Sequence, residues 1–327
     1  MSGVPKQDQS DAGANDRSSR DEFLAQVHAR KADLERQFEA SKAQFDQAQE
    51  KIKARTGRNL ILAILIGLAF GGVLLLSLLV IKELFMLFVI VLAGFASYEL
   101  TQALRKGDFF VPSIPTVAVA VLAVPIAYYG GAGGQLLAVL GGILVVSAWR
   151  LIEQAVPARR RSGPSLVRDL AAGAFVQAYV TLLATFAVVL TAAEGGQWWT
   201  LAFIIIAVAA DVGAYGFGLA FGKHPMAPVI SPKKTWEGFA GGAAASIVAG
   251  VLLSILMLGN TWWFGLIFGA AIFLTATLGD LAESLIKRDL GIKDMSSWLP
   301  GHGGFLDRLD SILPSAAVAF AAFRVFG

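Results

Sequence analysis

From residue 59 onward the chain is a succession of apolar runs, each near the length of about 17–25 residues that a bilayer asks of a helix. They fall at about 59–80, 84–104, 112–129, 135–151, 169–191, 198–221, 239–259, 262–285 and 311–326. This pattern predicts an all-α polytopic integral membrane protein with about nine transmembrane helices. Composition agrees. The chain is 56% hydrophobic and 16% charged, where soluble globules run nearer to about 45–50% and 25%. The absence of cysteine excludes disulfides and thiolate zinc sites.

Residues 1–57 are the one long polar region and form an N-terminal extension. Its first 20 residues are rich in Ser, Asp, Gly and Gln and are predicted to be disordered. Leu24, Val27, Leu34, Phe38, Phe45 and Ile52 recur at helical spacing, so a helix is predicted over 21–53. No apolar run follows the start closely, and no signal peptide is expected. Residues 58–327 form the predicted transmembrane domain.

Lys51 to Arg58, Arg105-Lys106, Arg150 with Arg159–Arg161 and Arg168, Lys223 with Lys233-Lys234, and the stretch after Asp280 alternate with charge-poor turns at 130–134, 192–197 and 259–261. The positive-inside rule places the basic loops and the N-terminus in the cytoplasm, across the cytoplasmic (plasma) membrane. No nucleic-acid partner is expected of this chain.

Residues 280–310 carry six acids (Asp280, Glu283, Asp289, Asp294, Asp307, Asp310) and four bases (Lys287, Arg288, Lys293, Arg308) between apolar runs. At roughly 2.5–3.5 kcal/mol per ion, burying all of them in lipid would cost on the order of 30 kcal/mol. The segment must face water or line a polar cavity. Asp280, Glu283, Ser284 and Lys287 are spaced to share one helix face, as are Asp307 and Asp310. Pro300-Gly301-His302-Gly303-Gly304 interrupts the helix and lets backbone approach a ligand. Carboxylates with Lys and Arg around such a bend suit a divalent metal and a polyphosphate.

A second polar region spans 211–238. Asp211 is an acid at membrane depth, where an ionisable residue is a functional candidate by default. Asp211, Tyr215, Gly218 and Gly222 share a helix face. The loop Ser231-Pro232-Lys233-Lys234-Thr235-Trp236-Glu237-Gly238 offers paired lysines and hydroxyls for phosphates. Gly218 to Lys223 is not a Walker A loop, since the spacing is one short and no Ser or Thr follows the lysine. Gly238, Gly241, Gly242 and Gly250 read as helix-packing positions. Glu99, at the end of the second run, reads either as a helix-end partner or as a cavity lining.

Ser284, Lys287-Arg288, Lys293-Asp294 and the run Leu299-Pro300-Gly301-His302-Gly303-Gly304-Phe305-Leu306-Asp307-Arg308-Leu309-Asp310 resemble the signature of the phosphatidate cytidylyltransferases, the CDP-diacylglycerol synthases. The loop Ser231 to Gly238 matches the same family's S-P-K-K-T-x-E-G. The resemblance covers about residues 59–327. It implies transfer of CMP from CTP to phosphatidate, giving CDP-diacylglycerol and pyrophosphate for phospholipid synthesis, with Mg²⁺, with a second metal ion as an option, and a homodimer among membrane lipids. It further implies Asp280, Asp307 and Asp310 as metal ligands and Lys287, Arg288 and Arg308 on phosphates. Ser231, Lys233, Lys234 and Thr235 would hold the triphosphate or the lipid phosphate. Asp211, Tyr215, Glu237 and Lys293 are further substrate-binding candidates, His302 a binding residue of the catalytic set, and Asp294 and Glu283 supporting acids.

The lipid phosphate is already an anion, so the reaction asks for positioning and charge neutralisation and not for a protein nucleophile. Two other readings stand beside it. A CTP-dependent lipid kinase would release CDP in place of pyrophosphate. A transporter would carry charges through several spans and show internal repeats, whereas the charges here gather in two loops.

Overall fold

The structure is a computed structural model that describes residues 60–296, 298 and 303–327. The extension over 1–57 and the candidate residue His302 lie outside the described residues. The chain divides after Ile64 into two units, and the account below concerns the second, Leu65–Gly327.

The elements are α1 (Leu60–Leu79), α2 (Lys82–Lys106), α3 (Ser113–Glu153), α4 (Gly163–Val176), a π turn (Gln177–Leu182), α5 (Leu183–Ala192), α6 (Gly196–Phe221), β1 (Pro225–Ala227), β2 (Ser231–Thr235), α7 (Trp236–Leu256), α8 (Trp262–Asp289), α9 (Leu306–Leu309) and α10 (Ile312–Phe326). Among the described residues seven helices are long and apolar enough to cross a membrane. The protein is an all-α integral membrane protein.

Seven differs from the predicted nine at two places. The runs 112–129 and 135–151 both belong to the 41-residue α3, whose backbone leaves helical geometry at Gly131 (φ 59°, ψ −151°). There α3 doubles back. A Cβ on Gly134 would lie 2.5 Å from the Ile126 carbonyl oxygen, and one on Gly142 would strike Val119. Residues 119 and 142 would stand about 35 Å apart on a straight helix. A positive φ is open to glycine without steric cost, which is why the reversal falls where it does. The other difference is α1 (Leu60–Leu79), whose side chains are described only in part, so that its span is taken from Gly67–Leu79 alone.

Helices α6, α7 and α8 pack backbone to backbone through small residues. A Cβ on Gly213 would lie 2.8 Å from the Gly241 carbonyl oxygen, one on Gly250 2.5 Å from that of Gly265, and one on Gly242 2.9 Å from that of Ala210. Lipid tails are as apolar as leucine, so helices in a bilayer gain from such close contact and not from expelling water. The glycines of α7 are thus the packing positions that their sequence suggests. This layer holds Asp211 and the end of α8 in fixed relation.

The two ends of the bundle are pinned separately. At one end Lys82 Nζ donates to the Ala193 carbonyl (2.7 Å), and Trp199 packs edge-on against Phe264 and Phe323. At the other, Arg150 and Asp169 form an ion pair at 2.9 Å with both side chains 1% exposed. The Phe110 amide donates to the same carboxylate (2.7 Å). Arg161 pairs with Asp108 at 2.9 Å and holds its carboxyl below the usual range. The loops after α2 and after α3 therefore meet at one end, and those before α2 and after α5 at the other, as the alternation of basic and charge-poor loops requires.

One element is absent from the sequence reading. Residues 222–235, expected as a loop, contain the antiparallel pair β1–β2, in which Pro225 faces Thr235 and Ala227 faces Ser231.

Candidate active site

The last turns of α8 carry the first group of polar residues. Asp280 accepts from Ser284 Oγ at 3.4 Å, and Glu283, 0% exposed, pairs with Lys287. These contacts are the i, i+4 neighbours that the spacing predicts. Lys287 Nζ also donates to Asp307 Oδ1 (2.8 Å), so one lysine ties α8 to α9. Gly279 lies against the Asp310 carbonyl, where any Cβ would clash. Thr275 and Ser315 hydroxyls meet at 3.1 Å one turn away.

The bend before α9 is held by two carboxylates. Asp307 Oδ2 accepts from the amides of Met295 (3.1 Å) and Gly304 (2.7 Å). Glu99, 1% exposed on α2, accepts from Ser296 Oγ (2.5 Å) and from the amides of Phe305 (3.0 Å) and Leu306 (2.9 Å). The last two are open donors at the start of a helix, and a carboxylate is their natural partner. A Cβ at position 304 would stand 2.7 Å from Glu99 Oε2, so a side chain there would displace the carboxylate. Phe95 of α2 stacks on Phe305 (4.6 Å) and meets Trp298 edge-on (5.3 Å).

The hairpin is fastened in a similar way. Glu237 Oε2 accepts from the amides of Lys223 (3.1 Å) and His224 (3.2 Å), and its Oε1 meets His224 Nδ1 at 2.6 Å. Thr235 caps α7, its hydroxyl accepting from the Gly238 amide (3.1 Å). Both were expected to touch substrate. The structure employs them in closing the loop. Arg288 Nε donates to the Ile230 carbonyl (3.2 Å), which joins the hairpin to α8.

Lys234 Nζ reaches Asp280 Oδ2 at 2.6 Å. Asp211 lies within charge–charge reach of Asp280, Lys234 and Arg308, and Asp310 within reach of Asp280 and Asp211. The structure therefore gathers Asp211, Asp280, Asp310, Lys234 and Arg308 from α6, α8, β2, α9 and the turn into α10. Tyr215 (72% exposed), Lys233 and Lys293 sit outside this group on exposed positions, and Ser231 is half-buried on β2.

Among the described residues no three His, Asp or Glu side chains form a closed metal cage. The donor set still fits Mg²⁺, which is commonly held by one or two carboxylates with substrate phosphates and water completing its shell. Asp280 and Asp310, which lie within charge–charge reach of one another, offer such a pair. Of the three expected ligands, Asp307 is held by the bend itself, accepting from two of its backbone amides and from Lys287.

Beside the group lies a cavity of about 250 Å³ with an almost wholly apolar wall. Leu74, Phe88, Leu92, Ala184 and Ile204 are among its lining, and Arg308 contributes the one charged residue of that lining.

Two of these residues escaped the sequence-based assignment of the site. Glu99 had a visible signal, an acid at the end of an apolar run, but its partners are about 200 positions away. His224 stood beside the glycines that fail as a Walker loop, and only the hairpin brings it to Glu237.

The chain matches the cytidylyltransferase family over residues 61–326. It is 41% identical over 272 residues to a phosphatidate cytidylyltransferase of Mycobacterium bovis, covering 82% of this chain and 89% of that protein. It is 40% identical over 277 residues to one of Mycobacterium leprae (81% and 88%). A phosphatidate cytidylyltransferase of Brucella suis shares 39% identity over 128 residues (39% and 47%).

Proposed function

The chain belongs to the cytidylyltransferase family and is a nucleotidyltransferase, and from that premise we propose how its residues divide the work on CTP and phosphatidate. One oxygen of the lipid phosphate attacks the α-phosphorus of CTP. The bond from that phosphorus to the β-phosphate oxygen breaks, and pyrophosphate leaves with the electron pair. No proton needs removal from the nucleophile, so a general base is not required. The observation that carries the reading is that Lys234 pairs with Asp280, that Asp211 and Asp310 lie within charge–charge reach of that aspartate, and that Arg308, within reach of Asp211, also lines the apolar chamber.

Lys234 and its neighbours Lys233 and Ser231, on an exposed hairpin, suit the triphosphate. The nucleotide reaches them from water. Arg308 suits the lipid phosphate because it lines the chamber that the acyl chains would enter. Lys287 is held between Glu283 and Asp307 and serves to fix the bend. Asp280, Asp307 and Asp310 would hold Mg²⁺, Asp307 sharing an oxygen that Lys287 or the loop amides already engage. When bound, the ion neutralises phosphate charge and stabilises the leaving pyrophosphate.

Purified protein given CTP, phosphatidate and Mg²⁺ is expected to form CDP-diacylglycerol and pyrophosphate in equal amounts. Release of CDP with phosphorylation of an offered lipid alcohol would replace this reading with the kinase.

The basic loops and the site share one end of the bundle, and the positive-inside rule assigns that end to the cytoplasm of the plasma membrane. The chain has no cysteine, so single cysteines introduced at Lys293 and Glu194 report sidedness without background. In intact cells an impermeant maleimide is expected to label position 194 and spare 293. The opposite pattern would invert the topology.

A further inference from the structure

Between α4 and α5 the helix passes through the π turn Gln177–Leu182. Such turns are rare and are found disproportionately at functional sites. This one is pinned from within. Gln177 Nε2 donates to the Thr116 carbonyl (3.3 Å), and the Thr181 hydroxyl donates to Gln177 Oε1 (2.8 Å).

The turn carries Tyr179, whose hydroxyl is buried and has no hydrogen-bond partner among the described residues. An unpaired buried hydroxyl is destabilising, and such groups are uncommon in folded chains. The ring is stacked on Phe175 at 5.4 Å and 12°, so packing fixes where the hydroxyl points. The acids within charge reach of it are Glu283, Asp310 and Asp280. Glu283 Oε1 is likewise buried and unpartnered. The next residue, Val180, and Ala184 line the apolar chamber that also touches Arg308. Tyr179 thus stands between the residues that line the chamber and the acids, as a neutral donor whose hydroxyl meets no acceptor among the described residues.

We propose that Tyr179 is a further substrate-binding residue, whose hydroxyl donates to a non-reacting oxygen of the phosphatidate phosphate. This rests on the cytidylyltransferase reading above. The position favours the lipid over the nucleotide because the same turn walls the chamber on one side, while the lysines suited to the triphosphate lie on the hairpin. A neutral donor also suits a place crowded with carboxylates, since it binds an oxyanion without pairing permanently with the acids around it.

Tyr179→Phe keeps the ring and its stack on Phe175 and removes only the oxygen. In mixed micelles with the full-length protein, the KM for phosphatidate is expected to rise roughly 10- to 100-fold, the loss of one hydrogen bond to a charged group. The KM for CTP is expected to stay within about twofold of wild type. Thermal stability without substrate should be unchanged or higher, because an unpaired buried hydroxyl has been removed. Unchanged kinetics, or a fall in kcat with both KM values unchanged, would overturn the proposal. A rise confined to the KM for CTP would overturn it too, by giving the hydroxyl to the nucleotide. A binding measurement separates this from failure of the underlying reading. Wild-type protein should be stabilised against heat more by phosphatidate than by diacylglycerol, with no CTP present, and Tyr179→Phe should narrow that difference. Wild type that shows the difference but makes no CDP-diacylglycerol would sink the reaction and leave the lipid contact standing. Equal differences in both proteins would sink the contact alone.

Discussion

Asp310→Asn is expected to lower kcat for CDP-diacylglycerol formation by about a thousandfold or more, while the protein stays folded. Loss of one preorganised charge-stabilising group commonly costs on the order of 10²–10³ in rate, and loss of a metal ligand adds to that. The substitution is nearly isosteric. Asn keeps the Oδ1 that accepts from the Ser311 amide at 2.7 Å, so the entry to α10 should survive. What disappears is a carboxylate within charge–charge reach of Asp280 and Asp211. Like charges held together cost stability unless a cation joins them. Metal-free Asp310→Asn should therefore melt at or above the wild-type temperature, and the stabilisation that Mg²⁺ gives wild type should shrink. Thermal melts with and without Mg²⁺, beside initial rates, check both halves. A wild-type rate would remove Asp310 from the site. A protein that has lost its cooperative melt would mean that the side chain is structural.

Glu99→Ala is expected to cut activity by about a hundredfold or more without touching either substrate. Its carboxylate receives one hydroxyl and two backbone amides of the segment 296–306. Removing it leaves two buried donors unpaired, at about 1–3 kcal/mol each and more for bonds to a charge, so on the order of 3–6 kcal/mol of local order is lost. The segment leads directly into Asp307, Arg308 and Asp310. Hydrogen exchange at the Phe305 and Leu306 amides should accelerate sharply, while amides in the middle of α7 and α8 stay protected. Glu99→Gln, with one acceptor oxygen left, should fall between the two. Wild-type protection at Phe305 and Leu306 in the Ala variant would show that the bend is held by Asp307 and the Phe95 stack alone.

These residues show which parts of the site are legible in a sequence. Charges in the run after Asp280 are conspicuous because lipid makes them costly, and their helical spacing reappears as the Asp280–Ser284 and Glu283–Lys287 contacts. The glycines of α7 are legible for a similar reason, since a membrane helix rich in small residues has little else to pack with. What stays hidden is long-range pairing. Nothing near Glu99 says that its partners lie at 296–306. Thr235 reads as a phosphate ligand because a hydroxyl beside paired lysines suits one, and Glu237 as a substrate-binding residue because it stands in the same loop. Only the backbone shows Thr235 capping α7 and Glu237 fastening the hairpin. Asp307 is conspicuous as a ligand by type, and its use in holding the bend depends on two amides that carry no side-chain signal. Tyr179 is hidden too, because a tyrosine in an apolar run reads as packing and a π turn leaves no mark on hydrophobic periodicity.

The link from Glu99 to Leu306 crosses 207 positions of the chain, and this sets an order in time. A ribosome adding about 5–20 residues per second needs on the order of 10–40 s to go from one to the other. For that interval α2 can already sit in the membrane with its acid waiting, while Asp211 and the hairpin arrive without their counterparts. Asp307, Arg308 and Asp310 are the last part of the candidate site to be made. A chain halted before α9 would hold most of its helices, bury most of its core and still be inert toward CTP. Cytidylyl transfer therefore begins only when synthesis is nearly finished, and a nascent chain cannot consume nucleotide on the way.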